Sequence, residues 1–477
     1  MPPDPHAPCL IGVARHTWRQ EPAPEPLSMW ETVARSAAAD AGCPDVLTGL
    51  QSLQVVFCQS WEYDDPCTRL AERLGADPGL RSYSGLGGSV PVRLVSEAAE
   101  AMARGELDLA LVVGGEALAT RRHLPDPPWS SPPAGARPFP LTVDRQEAAN
   151  GIYQAYLTFA LLDTARRAHL GRSPADHHDH LGRLLAPMTE VAASQPEHAW
   201  FPTVRDATEI TTPSPSNRMV ATPYTKLMTA IMDVDMAAAV LVATSERADA
   251  LGVAPDKRVY LRGTGGSEEP STMAARPEPW RSPAMEAAMA AALGPASIDD
   301  VGHLDLYSCF ASSLSFARDA LGIGIGDDRG LTVTGGLPYH GGPGSNYDTH
   351  ALAAMAETLR RDPGALGLIS GIGMHMTSHS AIVLSTTPGP FAPAAPAPAP
   401  DPPTVPVTTG AVGRARVVTY STVYSREGPQ WTALICDLPD GSRCYARLEE
   451  ASDDDVDLVG QPVTLAPGPR GATLARL

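Results

Sequence analysis

Short segments of this chain place hydroxyl, thiol and phenol groups beside glycine-rich turns. Gly85-Leu-Gly-Gly-Ser89 leads into a stretch rich in Ala and Glu that is typical of a helix. Asp305-Leu-Tyr-Ser-Cys-Phe310 ends an apolar run, and Gly341-Gly-Pro-Gly-Ser345 precedes a second helical stretch. The backbone N–H groups of such turns can hold a developing oxyanion, and nearby side chains can attack a carbonyl or move a proton. The pattern indicates chemistry on a carbonyl compound.

The candidate nucleophiles and acid–base groups have plainer interpretations that the sequence leaves open. Ser89 and Cys309 can carry an acyl group, yet serine is a favoured helix N-cap and a cysteine after a strand fits a small buried hydrophobe. Tyr307 and Tyr347 can transfer protons, or simply pack over the turns. His340 can act as an acid or base, or be a histidine of a surface loop.

Composition excludes several classes of partner. The 477 residues carry a formal charge of −18 without a long basic run, which disfavours nucleic acid and anionic membrane surfaces. No apolar run is long enough to span a bilayer, and the N-terminus lacks the features of a signal peptide. The seven cysteines form no CxxC pair, so we expect reduced thiols, no metal site and a cytoplasmic location.

A proline- and alanine-rich stretch, 389–406, predicts a semi-rigid linker between two folded parts. The tail, 407–477, contains β-like runs separated by turn signals, which predicts a small barrel of about five strands of the OB type. The tail lacks a basic, aromatic-rich face, so a bound oligonucleotide is not expected.

The region before the linker contains an internal repeat of four elements. Each copy has an apolar strand, a glycine-rich turn followed by a helix, and two further strands. The copies comprise 53–58, 85–89, 107–113 and 238–244, then 304–310, 341–345, 366–370 and 381–385. The strands are apolar on both faces, which is typical of sheets covered by helices. We expect an α/β protein of two halves, 1–255 and 256–388, stacked as five αβαβα layers, with an insertion at about 117–226 that covers a ligand.

These elements, in this order, resemble the thiolase superfamily over about residues 10–388, in particular the branch related to sterol-carrier-protein thiolases and usually labelled acetyl-CoA acetyltransferase. The matching segments are Leu111-Val-Val-Gly-Gly-Glu116, Asn217-Arg-Met-Val-Ala-Thr-Pro-Tyr-Thr-Lys226, Asp305-Leu-Tyr-Ser-Cys-Phe310, Gly335-Gly336 with Gly341-Gly-Pro-Gly-Ser-Asn-Tyr347, and Ser370-Gly-Ile-Gly373. The resemblance implies a duplicated thiolase fold and a CoA thioester as substrate, without a covalently bound cofactor.

The catalytic positions depart from the thiolase pattern. The resemblance places Gly88 or Ser89 where a thiolase has its cysteine nucleophile. It places Gly342 at the histidine of the Gly-His-Pro motif and Ser370 at the second cysteine. The Asn-Glu or His-Asp element falls on Tyr307-Ser308. Thiolase chemistry by the usual residues is therefore not expected.

The glycine-rich turns still imply a site for a thioester. We expect the turns at Gly88, Gly342 and Gly371 to line this site, with Lys226 near the CoA phosphates and His379 near the ligand. Lys226 is equally compatible with a solvated surface lysine, and His375 shares the loop of His379.

The sequence supports two classes of function. One is an enzyme acting on a CoA thioester in lipid or steroid metabolism, by acyl transfer or by making or breaking a carbon–carbon bond. Thiolase-like proteins of steroid side-chain degradation use tyrosines in place of the cysteines and work with a separate OB-type partner, which the tail resembles. The other is a non-catalytic CoA or acyl-CoA binding protein or a subunit of a larger complex. Thiolases are generally dimers or tetramers, which slightly favours a homodimer, whereas a tail domain that occupies the dimer surface would leave a monomer.

Overall fold

The computed structural model describes residues 3–20, 22–130, 144–324, 327, 329–391, 403–451 and 456–477. Its strands are β1 (Pro8–Thr17), β2 (Ser52–Val55), β3 (Leu80–Tyr83), β4 (Leu109–Ala117), β5 (Met219–Ala221), β6 (Tyr224–Thr225), β7 (Asp235–Thr244), β8 (Val259–Glu268), β9 (Val301–Asp305), β10 (Leu366–Gly373), β11 (Ser378–Ser385), β12 (Gly413–Tyr424), β13 (Pro429–Asp437), β14 (Arg443–Leu448), β15 (Pro462–Pro467) and β16 (Thr473–Arg476).

The α-helices are α1 (Pro26–Asp40), α2 (Pro66–Leu74), α3 (Val90–Ala103), α4 (Leu118–His123), α5 (Arg145–Ala149), α6 (Ala155–His169), α7 (Pro174–Ala193), α8 (Ala207–Thr211), α9 (Ser245–Ala250), α10 (Pro283–Leu293), α11 (Ala311–Leu321) and α12 (Tyr347–Arg361). In the part of the chain that the structure describes, no helix combines the length and apolar character needed to cross a membrane.

The two halves form one continuous sheet with internal symmetry. Its strand order is β3-β2-β4-β7-β1-β8-β11-β10-β9. The pair β2–β4 is parallel and β4–β7 antiparallel, and the second half repeats this with β9–β10 and β10–β11. The halves join through a short antiparallel pairing of β1 with β8. The repeat predicted from the sequence is confirmed.

The glycine-rich turns lead into the two helices at the centre of the molecule. α3 and α12 pack together, and each contacts strands of both half-sheets. α1 and α2 cover the outer face of the first half, and α10 covers β8 and β11 on the other side. Every residue of β4 and β7 is buried, as expected for strands with helices on both faces. The predicted five-layer thiolase fold is confirmed.

The first strand of each half, β1 and β8, was not part of the predicted repeat. The three glycines of β8 weaken its strand character in the sequence, whereas β1 contains an apolar run interrupted by Gly12. β1 pairs with β7, and β8 pairs with β11. The predicted division at 255 stays a prediction, and β8 begins at Val259.

The insertion between β4 and β7 packs over the segment that follows β9. Two helices of the insertion, α5 and α6, follow one another with a short break between them. The break between them contains Gly151, whose φ of +73° is unfavourable for other residues. A Cβ atom placed on Gly151 would lie 3.3 Å from the ring of Trp431. Phe159 of α6 stacks on Phe310 with ring centroids 4.7 Å apart.

The tail forms the predicted five-stranded barrel. The strands run in the order β13-β14-β16-β15-β12, and pairing of β12 with β13 closes the barrel. β5 and β6 of the insertion extend the sheet beside β12 through the pair Val423 and Ala221. Most of the predicted linker, 392–402, lies outside the described residues, but Val405 N–H donates to Ala275 O at 2.8 Å, so its end is docked on the body.

The barrel is held to the body by buried hydrogen bonds. Thr419 Oγ1 donates to Leu161 O of α6 at 2.5 Å, and Ser421 Oγ donates to Thr222 O at 2.7 Å. The hydroxyl of Tyr445 donates to the carboxyl group of Glu147, and burial raises the pKa of that carboxyl. Barrel and insertion therefore share one interior, which the linker alone did not predict.

Replacing Tyr445 with phenylalanine is expected to destabilise the protein by about 1–3 kcal/mol, because a buried carboxyl and the backbone N–H of Ala274 lose their partner. Urea unfolding would measure the change. Tyr153→Phe is the control, because that side chain is 43% exposed. Equal unfolding midpoints for the two variants would contradict the docking described here.

Candidate functional site

The predicted residues meet where the central helices α3 and α12 begin. Gly88 precedes α3, Tyr307 follows β9, Tyr347 is the first residue of α12, and Ser370 and Gly371 lie in β10. Ser370 Oγ accepts a hydrogen bond from the backbone N–H of Tyr307 at 3.1 Å, which fixes the phenol-bearing segment against β10. Elements from both halves of the repeat thus build one polar centre.

Gly88, rather than Ser89, faces Tyr307. A Cβ atom placed on Gly88 would lie 2.0 Å from Tyr307 Oη and 2.5 Å from Ile372 O. The phenol therefore fills the space that a side chain at this position would occupy. The sequence left open whether Gly88 or Ser89 faces the centre. Gly88 does, and it has no side chain that could be acylated.

Ser89 points away from the tyrosines. Its Oγ atom lies 3.2 Å from Ser378 Oγ and faces a surface cavity of about 370 Å³. Ser89 is the N-cap residue of α3, as in its plainer interpretation, but its hydroxyl accepts no hydrogen bond from the backbone of the helix. No histidine, lysine or carboxylate among the described residues contacts this hydroxyl, so nothing there activates it as a nucleophile.

The backbone N–H groups of Gly88 and Ser89 have no hydrogen-bond acceptor within the described ranges. They stand at the N-terminus of the 14-residue helix α3, where the helix dipole favours negative charge. Two free donors at such a position can stabilise an oxyanion. By contrast, the N–H of Gly342 donates to Ile231 O at 2.9 Å and is not free for a ligand.

Tyr347 belongs to a buried hydrogen-bond network around Asp305. Its Oη atom donates to Asp305 Oδ1 at 2.9 Å and lies 2.6 Å from Thr334 Oγ1. Asp305 Oδ2 also accepts from Thr332 Oγ1 at 2.8 Å and from the N–H of Val333 at 2.9 Å. Burial raises the pKa of Asp305, and burial together with this carboxyl raises the pKa of Tyr347 well above its usual range. Tyr347 thus keeps its proton at neutral pH and donates it in a hydrogen bond to a carboxyl group whose pKa is raised.

Tyr307 lies beside Tyr347 with ring centroids 5.6 Å apart and the rings nearly perpendicular. It exposes 5% of its surface, whereas Tyr347 exposes none. Burial raises the pKa of Tyr307 well above its usual value, and the nearby Cys309 and Asp348 add to this shift. Both phenols therefore stay protonated at neutral pH.

Asp348 is a site residue that the sequence analysis missed. It is fully buried, and neither carboxyl oxygen has a hydrogen-bond partner among the described residues. A Cβ atom on Gly371 would lie 2.2 Å from Asp348 Oδ2, so the carboxyl rests on that glycine. Burial, with Asp305 nearby, raises the pKa of Asp348 well above its usual range, which favours its protonated form. The sequence signal that could have identified Asp348 is its position directly after the candidate Tyr347.

Two further candidates occupy the edge of the centre. Cys309 is part-buried with its Sγ atom 3.1 Å from Ser313 Oγ, and burial raises the pKa of the thiol to about 12, which disfavours a thiolate. His340 is fully buried, so the interpretation as a surface-loop histidine is wrong. Its Nε2 atom lies 3.4 Å from His350 Nδ1, its ring centroid is 6.1 Å from that of Tyr347, and burial lowers its pKa well below the usual value.

The remaining ligand-binding candidates do not join the centre. The ring of His379 points to the other face of β11, with Nε2 3.3 Å from Ser282 Oγ, and burial lowers its pKa to about 3. Lys226 is exposed on the insertion. His375 binds Thr158 of α6 through Nδ1 at 2.8 Å. Within the described ranges, no group of three His, Cys, Asp or Glu side chains is placed to hold a metal ion.

Glu116 supports the centre from β4. It is fully buried, and its carboxyl accepts from the N–H groups of Gln59 at 2.7 Å and Ser60 at 2.8 Å. A Cβ atom on Gly344 would lie 2.5 Å from Glu116 Oε1, so the carboxyl packs on the turn that precedes Tyr347. Burial raises the pKa of Glu116 to about 7.

Because unfolded Glu116 ionises near pH 4.5, folding favours its protonated form, and its contribution to stability falls by about 3 kcal/mol as the pH rises from about 4.5 to 7. We expect Glu116→Gln to remove this slope. The measurement is the unfolding free energy of both proteins between pH 5 and 7.5, with the exposed Glu97→Gln variant as control. A variant with the slope of the wild type would refute the assignment.

The fold defines a member of the thiolase superfamily. A crystal structure of a similar protein is that of a monomeric SCP2-thiolase like protein type 1 from Mycobacterium smegmatis, whose sequence is 30% identical to that of this chain. The similarity covers 99% of both chains with a TM-score of 0.85. This chain therefore belongs to the family of SCP2-thiolase-like proteins.

More distant structures share the fold alone. The Ltp2-ChsH2(DUF35) aldolase is 17% identical, with a TM-score of 0.63 over 80% of this chain and 98% of that one. Human mitochondrial 3-ketoacyl-CoA thiolase is 13% identical, with a TM-score of 0.58 over 80% of this chain and all of that one. No family model and no curated protein matches the sequence.

Proposed function

We propose that this protein binds a CoA thioester and makes or breaks a carbon–carbon bond next to its carbonyl group without an acyl-enzyme intermediate. The position of Gly88 carries the proposal, because the residue that faces the centre has no nucleophile and a phenol fills the space beside it. Ser89 and Cys309 lack an activating base among the described residues, which speaks against acyl transfer. The aldolase named above has the same fold.

For cleavage of a β-hydroxyacyl thioester, the β-hydroxyl must lose a proton as the bond between Cα and Cβ breaks. Tyr347 accepts that proton while passing its own to Asp305, whose raised pKa suits it as the acceptor. The electron pair of the broken bond becomes the enolate of the thioester, and the N–H groups of Gly88 and Ser89 stabilise its oxygen. The protonated Asp348 supplies the proton that Cα receives. Both carboxyl groups then exchange protons with solvent.

The experiment is incubation of the protein with β-hydroxyacyl-CoA substrates. The expected products are a ketone or aldehyde and the shortened acyl-CoA in equal amounts. The Asp305→Asn variant should still bind CoA but release little product. Absence of cleavage for straight-chain and branched substrates alike would reject the proposed reaction.

A second candidate is a binding protein without catalysis. It is favoured by the closure of the centre, because Tyr347 is fully buried and Tyr307 nearly so. Calorimetry with CoA and acetyl-CoA distinguishes the two. Binding without cleavage would favour this second candidate, and no binding at millimolar ligand would exclude both.

We further propose that the chain is a monomer, contrary to the homodimer that the resemblance slightly favours. The SCP2-thiolase-like protein of Mycobacterium smegmatis is described as monomeric, and it matches this chain over its whole length, barrel included. The barrel then takes, within one chain, the place of the separate DUF35 protein in the aldolase. Light scattering should give the mass of one chain, and twice that mass would contradict the proposal.

All seven cysteines are free thiols, which supports a cytoplasmic location.

A further inference from the structure

A cavity of about 370 Å³ lies beside the tyrosine centre, between α3 and the strands β8 and β11. Ser89 joins the two, because it follows Gly88 and its side chain faces the cavity. The volume has room for several water molecules, and water inside a protein needs polar partners. Hydroxyl groups supply such partners along the lining, which contains Ser89, Ser96, Thr264, Ser267, Ser378 and Ser380. We refer to this space as the serine cavity.

Gly371 separates the serine cavity from the buried carboxyl of Asp348. A Cβ atom on Gly371 would lie 2.6 Å from Oγ of Ser380, which lines the cavity, and 2.2 Å from Oδ2 of Asp348. Both oxygens therefore converge on the space that a side chain at this position would fill. Only a glycine here lets the hydroxyl and the carboxyl approach each other so closely.

The hydroxyl of Ser380 is placed to pass a proton on. It donates to Ser89 O at 3.0 Å and accepts no hydrogen bond within the described ranges, so its oxygen can accept a proton. On the other side, neither carboxyl oxygen of Asp348 has a partner among the described residues. Further along the wall, Ser89 Oγ lies 3.2 Å from Oγ of Ser378, which is half-buried. The hydroxyl groups thus lead from Asp348 towards the surface.

Carboxyl groups surround the mouth of the serine cavity. Glu97 and Glu268 are exposed and Glu100 is half-buried, with Arg93 bound to Glu97 at 2.6 Å. Burial raises the pKa of Glu100. The remaining titratable side chain of the lining, His379, takes no proton at neutral pH, because burial lowers its pKa to about 3. An acidic mouth raises the local concentration of cations, protons included.

We propose that Asp348 exchanges its proton with solvent through the serine cavity, with the hydroxyl of Ser380 as the relay. An ionised Asp348 takes the proton of Ser380 at Oδ2, as the O–H bond of Ser380 breaks. Ser380 Oγ takes a proton from a hydronium ion in the cavity, which leaves a water molecule. The net change is the transfer of one proton from solvent to Asp348, without oxidation or reduction. The exchange is independent of the carbon–carbon chemistry, whereas its use to renew the proton given to Cα rests on the function proposed above.

Infrared spectroscopy of the full chain after transfer into D2O follows this exchange, because deuteration lowers the C=O stretching frequency of a protonated carboxyl group. The band of Asp348 is the one that the Asp348→Asn variant lacks. We expect Ser380→Val to slow the shift of this band at least about tenfold, since the carboxyl must then wait for local opening of the fold. Ser380→Thr has the same shape as Ser380→Val but keeps the hydroxyl, so it should exchange as the wild type does.

Ser378→Leu tests the route at a second place, because the larger side chain fills the cavity from a half-buried position. It should also slow the exchange, whether or not Ser380→Val folds. The control is Ser385→Ala, because Ser385 is also buried on β11 but lies outside the cavity lining. This variant should exchange at the rate of the wild type.

Unchanged exchange in Ser378→Leu, or equal rates for Ser380→Val and Ser380→Thr, overturns the route. So does the absence of a band assignable to Asp348, since the carboxyl would then hold no proton to exchange. No turnover is measured in this experiment. A protein that shows the expected exchange but cleaves no thioester would therefore reject the proposed reaction and leave the route intact.

Discussion

Replacing Tyr347 with phenylalanine is expected to lower the rate of carbon–carbon bond cleavage by a factor of roughly 100 to 10,000 while leaving the affinity for CoA nearly unchanged. In the proposed reaction the hydroxyl links the substrate to the carboxyl of Asp305, to which it is hydrogen-bonded, and phenylalanine keeps the ring but removes that link. Single-turnover rates with a β-hydroxyacyl-CoA substrate, together with calorimetry for CoA, would measure both quantities.

The matched control is Tyr339→Phe. Tyr339 is also almost fully buried, but its hydroxyl has no hydrogen-bond partner in the described part of the chain. We therefore expect little change in activity. Tyr347→Phe with wild-type activity, or an equal loss in both variants, would contradict a role of the Tyr347 hydroxyl in proton transfer.

Introducing a cysteine at Gly88 is expected to destabilise the protein by about 3 kcal/mol and not to create thiolase activity. The new Cβ would lie 2.0 Å from Tyr307 Oη, and the ring, held by the packing of Tyr347, has little room to move. Gly79→Ala is the control, because a Cβ there meets no atom within 4 Å. Urea unfolding and a thiolysis assay would measure the two effects.

A double variant separates this clash from a general intolerance of substitution. Tyr307→Ala alone creates a cavity, but combined with Gly88→Cys it removes the atoms that clash. The double variant should be more stable than the sum of the single effects predicts, by at least about 1 kcal/mol. Additive effects would mean that Tyr307 does not fill the space beside Gly88.

The fold could be predicted because the chain contains it twice. Buried strands and glycine-rich turns recur in one order, and both copies form equivalent parts of the sheet. β8 escaped because its three glycines give it little strand character of its own, and it is a strand through its pairing with β11. The docking of the barrel escaped for a similar reason, since the contact of Tyr445 with Glu147 joins residues far apart in sequence.

The site was only partly predictable. Both tyrosines could be found because each follows a recognisable motif. The sequence did not decide whether Gly88 or Ser89 faces the tyrosines. Two adjacent residues at the start of α3 point in different directions, so Gly88 faces Tyr307 and the Ser89 side chain faces Ser378. The roles of Asp305 and Asp348 depend on their complete burial, which no local pattern reveals.

We propose that this thiolase fold works without a covalent acyl-enzyme. Intact-protein mass spectrometry after incubation with excess acetyl-CoA, quenched in acid, tests it most directly. We predict a single species with the mass of the unmodified chain, because Gly88 has no nucleophile and, in the part of the chain that the structure describes, no base is hydrogen-bonded to Ser89 or Cys309. An added acetyl group mapped to Ser89 or Cys309 would contradict the account.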